Sequence, residues 1–136
     1  MNDLNEMKRI QGIFRAPKDK RYKSFVVHAV DWQEVWMCQE DPEIPVLQQE
    51  HLCVWPNREF VTMYRQTAVP MMMEVHDFMD GLEARAQEED VIVHVFPNGK
   101  DSFDVHASEL LAYMQEELDL IEWLPLQYAE TVIWLL

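Results

Sequence analysis

Leu4, Met7, Ile10 and Phe14 recur at steps of three and four residues, the spacing of one face of an α-helix. The pattern predicts an amphipathic helix that stops before Pro17, whose ring cannot continue it. After the charged break Lys18-Asp19-Lys20, the residues Tyr22, Phe25, Val26, Ala29 and Val30 mark a second helical stripe. Glu34-Val35-Trp36-Met37-Cys38 then has the composition of a strand. Glu40-Asp41-Pro42-Glu43 with Pro45 forms a turn, and Val46 to Val54 is the expected return strand of a hairpin. Trp55-Pro56-Asn57 ends that strand, with Asn57 suited to cap a short helix carrying Phe60, Val61 and Tyr64.

Pro70 and the run Met71-Met72-Met73 lead into a further helix, whose face is Val75, Phe78, Met79, Leu82 and Ala86. Three adjacent methionines can serve as a pliable binding surface or as adaptable core filling, and core filling is the expected use. Acids at a helix C-terminus oppose its dipole, so Glu88-Glu89-Asp90 is expected to be an exposed turn. Val91 to Phe96 is apolar on both faces except at His94, which predicts a central strand. Pro97-Asn98-Gly99 turns the chain, and Ser102 to Val105 returns beside it. The last clear helix spans about Ala107 to Asp119, with Leu110, Leu111, Met114 and Leu118 inward. Beyond Pro125, the apolar segment Glu130 to Leu136 fits an extra strand, a short helix or a contact with a second subunit in a homodimer. The expected fold class is α+β: an antiparallel sheet of about four strands, made of two hairpins, with helices packed against it.

A chain of 136 residues is the size of one domain, and an apolar fraction of 49% with five Trp, six Phe and four Tyr is enough to fill its core. Residues 1–17 form a helical extension, 18–119 the body of the domain and 120–136 an apolar tail. Nothing at the N-terminus resembles a secretory leader, and no apolar run approaches the roughly 20 residues that span a bilayer, so a cytoplasmic protein is expected. Cys38 and Cys53 form no CxxC pair and are expected to be free thiols, although a hairpin turning near Pro45 would set them nearly opposite each other.

Charge changes the picture most. The chain holds 11 basic and 25 acidic side chains, for a net of −14, and the imbalance is not uniform. Residues 1–23 carry seven of the cations and three acids; residues 24–136 keep only Arg58, Arg65, Arg85 and Lys100 against 22 acids. Such a surface repels nucleic acid and anionic lipid, so neither nucleic acid nor membrane is an expected partner, whereas a basic protein would be attracted.

The succession Glu34-Val35-Trp36, Val54-Trp55-Pro56-Asn57-Arg58-Glu59-Phe60, Phe78 to Leu82, Val93-His94-Val95-Phe96-Pro97-Asn98 and Leu110 to Leu118 resembles the bacterial family catalogued as domain of unknown function number 2750. The resemblance spans residues 18–119, and its most specific block is Trp-Pro-Asn-Arg-Glu-Phe. It implies a small bacterial α+β protein and carries no catalytic residue, cofactor or substrate with it.

Catalytic chemistry finds little footing in the residues themselves. His28, His51, His76, His94, His106, Cys38 and Cys53 are possible metal ligands, yet none falls in a CxxC, HExxH or HxH arrangement, and no metal or cofactor is expected. There is no GxSxG elbow, GxGxxG loop or P-loop. Two functional expectations remain. The preferred one is a non-catalytic binding module for a protein partner, of the kind an immunity or antitoxin-type inhibitor of a basic partner would be, using the acidic turns Glu40, Asp41, Glu43 and Glu88, Glu89, Asp90. The other is an enzyme or small-ligand binder with a pocket near Trp36, Trp55, Arg58 and His94, in which Trp55 walls the site and Arg58 holds an anion.

Overall fold

A computed structural model describes residues 2–88 and 90–135, with side chains described for 4–87 and 90–121. The first two helices form as the apolar spacing requires: α1 is Asn2–Phe14 and α2 is Lys18–Trp32, the latter burying Phe25, Val26, Ala29 and Val30. Helix α2 ends on Gln33, held in the left-handed region (φ 61°) while its N–H donates to Ala29 O. Strand β1, Glu34–Cys38, follows directly and buries alternate residues Val35 and Met37.

The segment after β1 does not return as a hairpin partner. Residues 39–51 form a loop with a single 3-10 turn at Val46–Gln48. Gln49 explains why: its buried carboxamide accepts the Glu40 and Asp41 N–H groups and donates to Asp41 O and Ile44 O, the last at 2.8 Å. One side chain thus satisfies backbone groups that a ladder would otherwise pair. The return strand shrinks to β2, Leu52–Val54, and α3 is Arg58–Tyr64.

The three methionines also depart from expectation. Pro70–Glu74 is a strand, β3, pairing antiparallel with β1 so that Met71 lies opposite Met37 and Met73 opposite Val35. Met72 points away and is 52% exposed, a period of two that a helix cannot produce. Proline opens the strand, where its missing N–H matters least. Helix α4, Val75–Glu88, then begins at once. The second expected hairpin forms: β4, Ile92–Val95, pairs antiparallel with β5, Phe103–His106, and β4 is the central strand between β5 and a parallel β2.

The fold is therefore α+β, with the antiparallel four-stranded sheet replaced by a two-stranded sheet (β1, β3) and a mixed three-stranded one (β2, β4, β5). The two sheets meet at one bridge, where Trp36 and Trp55 exchange N–H···O bonds of 2.9 and 2.8 Å. Helix α5 spans Ala107–Leu135, ten residues or more beyond the end expected near Asp119. The expected subunit contact of the apolar tail concerns side chains outside the described residues. Leu110, Met114 and Leu118 of α5 join Phe25, Val30, Phe78, Leu82, Val93 and Val105 in one core.

Candidate functional site

At the C-terminal end of β4 the chain does something costly. Phe96 is fully buried yet held at φ 55°, a region that bulky L-residues rarely enter. Its N–H donates to Val54 O at 2.8 Å and its carbonyl accepts from Arg21 Nε at 2.9 Å. Arg21, only 1% exposed, also donates through Nη1 to Ala16 O and through Nη2 to Asp101 O and Oδ1, so it ties the end of the α1–α2 connection to both sides of the β4–β5 turn. Trp55 completes the anchor: it is fully buried, and its Nε1 donates to Pro97 O at 2.9 Å. Phe14 stacks on Phe60 (centroids 6.2 Å, planes 8° apart), and Phe60 lies 4.6 Å from Phe96.

The four residues expected to frame a ligand pocket are thereby accounted for individually. Trp55 fills the core, Trp36 directs its Nε1 to Glu34 at 3.2 Å, and Arg58 is exposed at the start of α3. None of the three lines any of the four cavities described. His94 stands apart from them. Strand register sets Cys53, His94 and Asp104 in one row across β2, β4 and β5. His94 Nδ1 bonds Asp104 Oδ1 at 2.7 Å, and Ser102 Oγ donates to the same oxygen at 2.5 Å. The Ser102 hydroxyl and His94 together hold the Asp104 carboxyl below the usual carboxylate range, with Lys18 adding to the effect. Cys53 is no nucleophile in this row: burial, reinforced by Cys38 and Glu40, pushes its thiol up to about 12, and no hydrogen bond joins it to His94.

The second feature that the geometry assembles lies at the other end of β4. Ile44, Gln48, Glu50, Arg85, Asp90, Ile92 and His94 surround an open cavity of about 470 Å³. Its position depends on the loop after β1. Gly81 on α4 leaves room for Leu47, whose Cδ1 occupies the space a Cβ there would need, and Arg85 Nη1 donates to Leu47 O. The loop is thus latched onto α4, which brings Ile44, Gln48 and Glu50 to the same cavity as Asp90, while Glu40 lines a separate cavity with Cys38 and Arg65. Ile44 and Ile92 are 39% and 43% exposed there. Asp90 also faces His106 Nε2 at 3.6 Å. Of the acids expected to act together, Glu40, Asp41, Glu43 and Asp90 are exposed, while the Glu88 side chain and all of Glu89 lie outside the described residues.

Ile44, Ile92 and Arg21 carried no weight in the sequence. Ile44 was a single apolar residue within a turn, Ile92 was one of the apolar residues of an expected central strand, and Arg21 belonged to a charged stretch, although its spacing of four and eight from Phe25 and Ala29 puts it on the buried stripe. Among the described residues, no group of three His, Cys, Asp or Glu is placed to hold a metal ion, and no helix is long and apolar enough to cross a membrane. No family model matches the chain, and no curated protein or solved structure matches it.

Proposed function

We propose that this chain is a non-catalytic binding module that docks a basic protein partner, and that the docking surface centres on Ile44 and Ile92. The observation that carries the reading is the convergence of two acids distant in sequence, Glu50 and Asp90, on one cavity with the exposed apolar pair Ile44 and Ile92 in its wall. Protein interfaces combine an apolar centre with a polar rim, and their tightest anchors are Arg and large apolar side chains seated in pockets. A partner presenting a basic or apolar side chain to the cavity, ringed by further Lys and Arg, matches Glu50 and Asp90 in its wall, and Glu43 next in sequence to Ile44, in sign. This is the chemistry an immunity or antitoxin-type inhibitor would need, covering a basic surface with an acidic one.

The test is retention of partners from native lysate on three immobilised proteins: the wild type, Glu43→Gln/Glu50→Gln/Asp90→Asn, and a control of equal charge change on α5, Glu109→Gln/Glu116→Gln/Asp119→Asn. The expected result is one stoichiometric basic protein held by the wild type and control, lost from the site variant and eluted by salt. Equal loss from both variants would reduce the effect to bulk charge, and no specific retention would remove the reading.

A further inference from the structure

The cavity at the opposite end of β4 differs from the other three in its charge. Gln11, Phe14, Arg15, Met63, Asn98 and Lys100 enclose about 440 Å³. Each of the other described cavities has carboxylates in its wall: Asp80 and Glu83, Glu40, or Glu50 and Asp90. This one has two cations and no acid, in a chain with 25 acidic side chains. Arg15 and Lys100 are distant in sequence, and neither makes an ion pair among the described residues. Asp101, the carboxylate next in sequence to Lys100, is already held by Arg21.

The walls are fixed before any ligand arrives. Asn98 Nδ2 donates to Phe14 O at 2.9 Å, while its Oδ1 accepts the Lys100 and Asp101 N–H groups at 3.0 and 3.1 Å. Phe14 O and Ala16 O, carbonyls at the end of α1 that would otherwise repel an anion, are occupied by Asn98 and Arg21. Directly behind sits Phe96 with its left-handed backbone, a strain of the sort that folds retain where geometry must be exact in a site. Preset walls lower the ordering cost of binding.

We infer that this cavity is a binding site for a small organic anion, a phosphate or carboxylate borne on an apolar or planar body. The charge lies between Arg15 and Lys100, and the body lies against Phe14 and the 37%-exposed Met63. The volume is in the range that holds a drug-sized ligand. The site is independent of the acidic cavity and of any protein docked there.

Amide-resolved NMR titration with 1-naphthyl phosphate, inorganic phosphate and 1-naphthol tests it. Naphthyl phosphate should give saturable shifts at Gln11, Arg15, Met63, Asn98 and Lys100, with an affinity at least about tenfold above either fragment, because only it satisfies both the cations and the apolar wall. Arg15→Gln/Lys100→Gln should weaken it tenfold or more, while Lys20→Gln/Lys23→Gln, with the same charge change on α2, should leave it unchanged. Shifts that do not saturate, that map elsewhere, or that weaken equally in both variants would overturn the assignment. The spectra themselves report whether each variant is folded.

Discussion

Replacing Arg21 by methionine keeps an unbranched chain of similar length and removes every donor it offers. Three carbonyls lose their partner: Phe96 O, in a fully buried residue, and Ala16 O and Asp101 O, which are nearer to solvent. Water can take up the last two and the Asp101 carboxylate, which is 49% exposed. Phe96 O cannot be hydrated without opening the packing of Phe14 and Phe60 around it. A hydrogen bond from a charged donor contributes about 1.5–3 kcal/mol, and an orphaned buried carbonyl costs about 1–3 kcal/mol. These two quantities overlap, and the apolar methionine avoids the desolvation of a guanidinium, so the net loss is about 2–3 kcal/mol. For a domain of this size that lowers the melting midpoint by roughly 7–10 °C. The half-exposed ion pair is a small part of this: Asp101→Asn should cost less than about 1 kcal/mol. Calorimetric melts of both variants beside the wild type provide the measurement. An Arg21→Met midpoint within about 2 °C of the wild type, or equal losses in the two variants, would refute the idea that the carbonyl of the strained Phe96 is what Arg21 serves.

Both cysteines should resist alkylation in the folded protein. Burial raises the Cys38 thiol, and burial followed by Cys38 and Glu40 raises that of Cys53 to about 12, which lowers the Cys53 thiolate fraction at pH 8 about a thousandfold. Iodoacetamide labelling read by peptide mass should be slow in buffer and fast in guanidinium; Cys53 reacting at the rate of a free thiol would contradict it. Tyr22, stacked 4.2 Å from Phe103, has its phenol pushed up to about 12 by burial, then by Tyr113 and Glu109. Because the folded form holds this proton more tightly than the unfolded chain, its contribution to stability is complete below pH 10 and is lost as pH rises toward 12. Denaturant midpoints measured from pH 9 to 12 should fall over that window, and Tyr22→Phe should flatten the fall.

Elements whose apolar period was unambiguous formed as the sequence predicts. The stripes of α2 and α4 and the β4–β5 hairpin with its Pro97-Asn98-Gly99 turn belong to this group. The failures share a cause, a specific partner elsewhere in the loop or the fold outweighing the apolar pattern. Val46 to Val54 is apolar enough for a strand, but Gln49 closes the loop on itself and Leu47 finds the space over Gly81. Three methionines have helical propensity, yet β1 offers Val35 and Met37 as neighbours and the segment alternates to meet them. Nothing local announces that β2 will lie parallel to β4 and only touch β1 at Trp36 and Trp55. The Trp-Pro-Asn-Arg-Glu-Phe block stood out as a candidate pocket, and its tryptophan is instead the buried end of a hydrogen bond to Pro97.

The same topology separates the two surfaces of interest. Asp90 and Ile92 stand where β4 begins, Asn98 and Lys100 just past where it ends. At roughly 3.3 Å per residue, the four residues of the strand set the acidic and basic cavities about 10–13 Å apart along it. That exceeds the Debye length of about 8 Å at physiological salt, so each field is attenuated at the other cavity. Along its central strand the chain therefore carries Arg15 and Lys100 by the α1–α2 connection at one end and Glu50 and Asp90 beside the loop latched by Arg85 at the other. A basic partner would be steered to the acidic end and turned away from the basic one, which fixes its orientation before contact. Occupation of the basic cavity by a small anion would then remove a local positive charge without touching the docking surface. Its effect on the partner would be confined to the approach: a change in association rate at low salt that vanishes at high salt, with the dissociation rate unchanged.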